Sequence, residues 1–234
     1  MLRRQGFRVA RYGDSISAER GYLRETGNLV FHFALLGVLL TVGVAGGFGY
    51  NGQRVIVQGQ SFTNQLTSFD SFSPGRFFDE TRLDPFSIRL DDFVPVYDLD
   101  TTTGFPIALD FTASVTVVAN GVERTEDIKV NEPIDIAGTT TYLLGNGFAP
   151  WITVYDSDGT AIFSHPVPFL PQDSNLTSLG VVKVPDGLDE QLGMIGFFYP
   201  SAVPLASGAL PSVFPHPAQP VLTLTALVGD LQLH

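Results

Sequence analysis

Few residues in this 234-residue chain have the type and spacing to do chemistry. His32 comes first, because it stands in a stretch with no formal charge between Glu25 and Arg54. A titratable group inside an apolar span is costly and rare, which makes it a functional hypothesis by default. One ring nitrogen of imidazole can ligate a metal, haem iron included. The plainer alternative is that the ring snorkels to the interface or bonds a neighbouring helix. Both readings stay open on the residues alone.

The other constellations are weaker. Gly43 and Gly47 form a small-xxx-small pair, and His32 lies eleven residues before Gly43. At about 100° per residue that is three turns plus roughly 20°, so the two share a helix face. Such a face suits close packing against another helix, although glycine is also ordinary in spans. Asp156-Ser157-Asp158-Gly159 has the opening of a calcium loop without its later ligands, and reads as a hairpin turn. His165 and His216 sit beside prolines with no second ligand at metal spacing, and read as structural or surface residues. Asp91 and Asp92 are adjacent, so in a strand they point to opposite faces rather than forming an acid/base pair. No nucleophile elbow, P-loop, zincin or dinucleotide fingerprint occurs. No catalytic residue is assigned.

The elements that must position these residues follow from charge and hydropathy. Residues 1–28 carry six arginines against three acids, a net +3, and the remainder carries -14, for a total of -11. Between them Leu29–Tyr50 is a 22-residue apolar run in which only His32 and Thr41 are clearly polar. As a helix it extends about 33 Å, enough for a hydrocarbon core of about 30 Å. It is read as a transmembrane helix, and the arginine-rich flank places residues 1–28 in the cytoplasm and residues 51–234 outside. The competing reading is a cleaved signal peptide, for which the preceding segment is unusually long. The acidity of the outer part excludes a nucleic-acid partner, which needs clustered Lys and Arg. The absence of cysteine excludes disulfides, thiol nucleophiles and Cys-based metal or redox sites.

Residues 51–234 carry strand signals and almost no helix signals. Val55–Val57 running toward Phe62, Ser87–Leu90 running toward Val94–Tyr97, Val181–Val184 and Leu222–Leu227 are strand candidates. Phe111–Val118 alternates, with Phe111, Ala113, Val115 and Val117 on one face. Asn120-Gly121 then signals a tight hairpin returning along residues 123–130. Trp151–Tyr155 and residues 160–163 form a second hairpin around the 156–159 turn. Residues 64–82 and 200–220 read as long ordered loops. The predicted class is a membrane-anchored, mainly β protein: one transmembrane helix followed by an extracytoplasmic, antiparallel β-sandwich-like domain.

Four stretches carry a resemblance that runs in order through essentially the whole chain. Residues 21–32 (GYLRETGNLVFH), 52–59 (GQRVIVQG), 142–150 (YLLGNGFAP) and 166–178 (PVPFLPQDSNLTS) resemble the ResB family of cytochrome c biogenesis proteins, its actinobacterial members especially. The resemblance implies a membrane component of the system II pathway, acting with a ResC-type membrane protein. Together they move haem across the membrane and present it for attachment to the two thiols of Cys-x-x-Cys-His in apocytochrome c. It implies that His32, matching a family histidine in the span before the β-domain, is the cofactor-binding residue and ligates the iron of transiently bound haem. The implied partners are therefore ResC, apocytochrome c, haem and the lipid bilayer. At most the chain is a non-catalytic subunit of a haem-exporting cytochrome c synthase complex. Family members have further spans on either side, so the β-domain is expected to be incomplete at its C-terminus. The alternative is a non-catalytic, membrane-tethered β-module that binds an envelope protein, with His32 incidental.

Overall fold

The computed structural model describes residues 2–102, 104 and 106–233, with only the backbone of Tyr22, Leu23 and Arg24. The Arg24 side chain of the basic flank thus lies outside the described residues. The chain divides into two compact units, Met1–Gly52 with Phe72–Arg82, and Gln53–Ser71 with Leu83–His234.

The first unit opens with a 3-10 turn, Leu2–Gln5. Strands β1 (Arg8–Tyr12) and β2 (Ser15–Glu19) follow as an antiparallel pair, turning at Gly13. Arg20 ties this hairpin down: its guanidinium donates to the Gln5 carbonyl at 3.2 Å and sits over the Phe7 ring at 5.5 Å. Gly21, at φ 101°, makes the sharp entry into helix α1 (Tyr22–Phe48), a conformation that only glycine takes cheaply. Several glycines inside α1 would weaken it in water by up to ~1 kcal/mol each. In an apolar medium the balance differs, because only a helix satisfies every amide internally. The polar side chains of α1 obey the same rule. Thr41 donates its hydroxyl to the Gly37 carbonyl at 2.8 Å, one turn back.

Beyond α1 come β3 (Tyr50–Gln53), β4 (Ser61–Thr63) and β5 (Ser71–Pro74), of which β3 pairs with β5. Val55–Val57 is not a strand. The Asp70 carboxylate takes the Val55 amide at 2.7 Å and the Arg54 guanidinium at 2.7 Å, so a side chain replaces the ladder partner. Ile56 instead packs on the first apolar core.

That core lines the antiparallel sheet β4-β6-β7-β8, with β6 (Phe86–Leu99), β7 (Pro106–Ala119) and β8 (Val122–Lys129). Ala113, Val115 and Val117 are buried with Phe62, Phe86, Ile88, Ile128 and Ile136, as the alternation in β7 requires. Asn120 and Gly121 both have positive φ, 52° and 76°, the backbone of a tight hairpin whose twist matches its strands. The two short strand candidates at 87–90 and 94–97 are one 14-residue strand, β6. Pro95 is tolerated within it because β4 covers only Ser87–Arg89 of its other edge.

β9 (Ile134–Ile136) and β10 (Thr139–Thr141) form a short hairpin, as do β11 (Trp151–Tyr155) and β12 (Ala161–Pro166). The second four-stranded antiparallel sheet runs β13 (Leu170–Pro171), β14 (Ser178–Val184), β15 (Gln191–Tyr199) and β16 (Val221–Gly229). Its core is Ile152, Phe169, Val182 and Val184. Among the described residues the mainly β, antiparallel architecture thus has two four-stranded sheets, each against its own apolar cluster, and four two-stranded ones. Tyr97 ties distant parts of this unit together. Its hydroxyl accepts from Asn146 at 3.2 Å, and its ring meets Phe111 and Phe214 edge-on at 5.5 and 6.0 Å. Residues 200–220 contain no strand but are held by bridges Ser201–Gln219 and Ala202–Ser212.

Candidate functional site

His32 lies on the N-terminal half of α1, flanked by exposed Phe31 and Phe33. Its Nδ1 is 2.8 Å from the Asn28 carbonyl oxygen. A carbonyl can only accept, so Nδ1 carries a proton, and Nε2 is the nitrogen that can offer a lone pair. This is the arrangement of a metal-binding histidine whose second nitrogen is fixed by an outer partner. Phe31 meets the ring edge-on at 5.5 Å. Nε2 has no hydrogen bond among the described residues, and the ring stands on an exposed part of the helix.

The glycine face behaves differently along its length. A side chain at Gly43 would meet nothing within 4 Å, so the room beside it is open within this chain. Gly47 is covered: a Cβ there would lie 3.0 Å from the Phe77 ring. The covering segment is 72–82, which lies against the end of α1. Its Phe77 amide donates to the Gly47 carbonyl at 2.7 Å, and its Gly75 amide donates to the Gly49 carbonyl at 2.8 Å. Asp79 turns its carboxylate onto the amide and hydroxyl of Thr81, at 2.9 and 2.8 Å. Those two bonds, the backbone one foremost, hold the Asp79 carboxyl below its ordinary range, and Arg82 adds to the effect.

The remaining sequence candidates have local partners. Asp156 accepts the amides of Asp158 and Thr160 at 2.9 and 2.8 Å, which makes it the staple of the β11–β12 turn. His165 is on β12 with its ring edge-on to Phe163 at 5.2 Å, and the His216 carbonyl accepts the Ser201 hydroxyl at 2.5 Å. Asp91 and Asp92 do not follow simple alternation, because the β6–β7 register shifts between Leu90 and Asp92 and leaves Asp91 as a bulge. Asp91 accepts Thr116 Oγ1 and Arg89 Nε, each at 2.6 Å, whereas Asp92 accepts from Gln58 at 3.1 Å. The Thr116 hydroxyl first, then Arg89, holds the Asp91 carboxyl below its ordinary range, and Arg89 is correspondingly raised.

Residues 142–150 and 166–178 meet in the second core. Phe148 and Phe169 form a bridge, the Val167 amide donates to the Pro150 carbonyl, and Phe169 is 2 % exposed. A Cβ on Gly180 would strike the Phe169 ring, so that glycine is required by close approach. The stretch 64–82, a long ordered loop by its sequence, contains β5 and the contact of 72–82 with α1. The available signal was Arg76-Phe77-Phe78 directly after Pro74-Gly75, an apolar, basic tip on an acidic chain.

An apolar helix carrying a single histidine, followed by antiparallel sheets, defines a mainly β protein with, among the described residues, one helix long and apolar enough to cross a membrane. The chain matches the ResB-like family over residues 1–234 and belongs to that family. No curated protein and no solved structure matches it. Membership gives the chain a general role in cytochrome c biogenesis.

Proposed function

We propose that the chain is a membrane component of system II cytochrome c biogenesis that handles haem together with a ResC-type partner. On this reading α1 spans the bilayer, the basic flank is cytoplasmic and the β-sheets are extracytoplasmic. The orientation rests on the +3 flank against the -14 remainder. The observation that carries the haem assignment is the His32 ring: Nδ1–H held by the Asn28 carbonyl, Nε2 free, on an uncovered helix face.

His32 serves here as a holding ligand rather than a reactive group. Bound haem supplies the iron that Nε2 would ligate and the porphyrin that becomes joined to apocytochrome c. The Asn28 carbonyl fixes the tautomer and ring plane, which leaves Nε2 as the nitrogen that would meet the metal. Its place on the N-terminal half of the span suits loading from the cytoplasmic side. The chain has no cysteine, so both sulfurs of the thioether links come from the apocytochrome.

Co-expression with a ResC-type partner, purification in detergent and a haem absorbance spectrum test the assignment. His32→Ala is expected to lower bound haem at unchanged complex yield, with recovery when imidazole is added. Haem content indifferent to His32→Ala overturns the ligand role.

A further inference from the structure

A helix leaves its last carbonyls without intrahelical partners. In α1 these belong to a glycine-rich end, Ala45-Gly46-Gly47-Phe48, where side chains screen the backbone little. Segment 72–82 supplies one of the missing donors, the Phe77 amide to the Gly47 carbonyl, and its Gly75 amide bonds the carbonyl of the C-cap Gly49. The approach is close enough that a Cβ on Gly75 would strike the carbonyl oxygens of Gly46 and Gly47.

The same contact gathers aromatic rings around the helix end. Phe48 packs on Phe77 at 5.3 Å, and Tyr50 contacts Phe72 and Phe78 at 5.4 and 5.5 Å. Phe48 and Phe77 nevertheless stay 46 % and 56 % exposed. Two guanidinium groups lie over these exposed rings, Arg82 over Phe48 at 5.4 Å and Arg76 over Phe77 at 5.9 Å. The basic residues after position 50 number seven, and Arg54, Arg89, Arg124 and Lys129 are in ion pairs. Among the described residues neither Arg76 nor Arg82 is in an ion pair. Of the two acids in the segment, Asp79 has its carboxylate hydrogen-bonded to Thr81 with Arg82 acting on it through space, and Glu80 shares the 3-10 turn with Arg82.

Rings half-exposed at the end of a span, with arginines resting on them, have the chemistry of the headgroup boundary, where aromatic belts and snorkelling cations collect. The charge balance is compatible with the same occupant. A part of the chain carrying -14 is repelled by an anionic leaflet, so guanidinium groups outside ion pairs are most useful where the chain meets it, although Asp79 and Glu80 bring segment 72–82 itself to neutrality. We propose that segment 72–82 is an interfacial collar: it seals the end of α1, seats Phe48 and Phe77 at the headgroup boundary, and binds phospholipid phosphates through Arg76 and Arg82. The inference rests on α1 being a transmembrane span, and it concerns a surface separate from His32.

The full chain reconstituted in nanodiscs provides the test. In a Trp151→Phe background, Phe77→Trp is expected to give blue-shifted emission, quenched more by lipids brominated near the headgroup than near the chain ends. Arg76→Gln and Arg82→Gln are expected to reduce retention of phosphatidylglycerol over phosphatidylcholine by about five-fold each. Carbonate extraction of the same membranes separates the two readings. A chain released by carbonate removes the span, and the collar with it. A chain that stays in the membrane, yet shows a water-exposed Phe77→Trp and no change in lipid retention in the arginine variants, overturns the collar alone. So does shielding of that tryptophan by a co-purifying protein in place of lipid.

Discussion

Helix α1 and strand β7 are built from similar apolar side chains and meet opposite fates. In the second half of β7 Ala113, Val115, Val117 and Ala119 enter a core, and Val115 and Val117 are 2 % and 0 % exposed. In α1 no described side chain is fully buried by the protein, only the Gly47–Phe48 end is partly covered, and Phe31, Phe33 and Val42 are more than 60 % exposed. The difference lies in what covers each element. The sheet buries its apolar face by folding, with polar residues alternating outward. The helix is apolar all round, so its cover must be another helix or lipid. A mutation therefore costs folding stability in the sheets and insertion or association in the helix.

The largest expected effect breaks or confirms that contrast directly. Phe169→Ala removes the ring that fills the second core and is expected to destabilise the sheets by ~3–5 kcal/mol. The urea midpoint of Trp151 fluorescence in detergent reads this. Phe33→Ala in α1, an equal deletion, is expected to move the same midpoint by less than ~0.5 kcal/mol. Equal shifts would mean that α1 is part of the folded core.

Next comes the junction between the helix end and segment 72–82. Gly75→Ala pushes a methyl into the carbonyls of Gly46 and Gly47, and is expected to cost ~1–3 kcal/mol. The readout is local: faster protease cleavage between Pro74 and Arg82, with the midpoint of the sheets little changed. Cleavage at the parental rate would show that the close approach does not hold the segment.

The smallest effect is electrostatic and belongs to the sheet. Asp91 is held below its ordinary range by Thr116 and then Arg89. A carboxyl lowered in the folded state contributes stability above its unfolded value near ~3.9. That contribution fades as pH falls through the lower folded value. Thr116→Val is thus expected to lower the melting temperature at pH 7, and the gap to the parent should close below about pH 4. A gap constant from pH 7 to pH 3 would assign the loss to packing alone.

Local signals were legible where the physics is local. Asn120-Gly121 and Asp158-Gly159 announced their hairpins because positive φ is cheap at Asn120, Gly121 and Gly159. The alternation of 111–118 announced the buried face. Pairings carried by distant side chains were not legible. Val55–Val57 looks like a strand until Asp70 takes the Val55 amide. Asp91 looks like half of an alternating pair until the bulge turns it toward Thr116. His32 was visible as an oddity of composition, while the role of Asn28 in setting its tautomer needed coordinates.

By itself the sequence determined an uncharged 22-residue run between a +3 flank and a -14 remainder, and with it a helix that must find an apolar environment. It determined the tight turns and the face that β7 buries, because each depends on neighbours a few residues away. Only the tertiary structure decided that Phe72–Arg82 closes the end of α1. The carbonyls it caps lie far earlier in the chain, and the fit depends on three glycine backbones coming within contact distance, which no local pattern encodes.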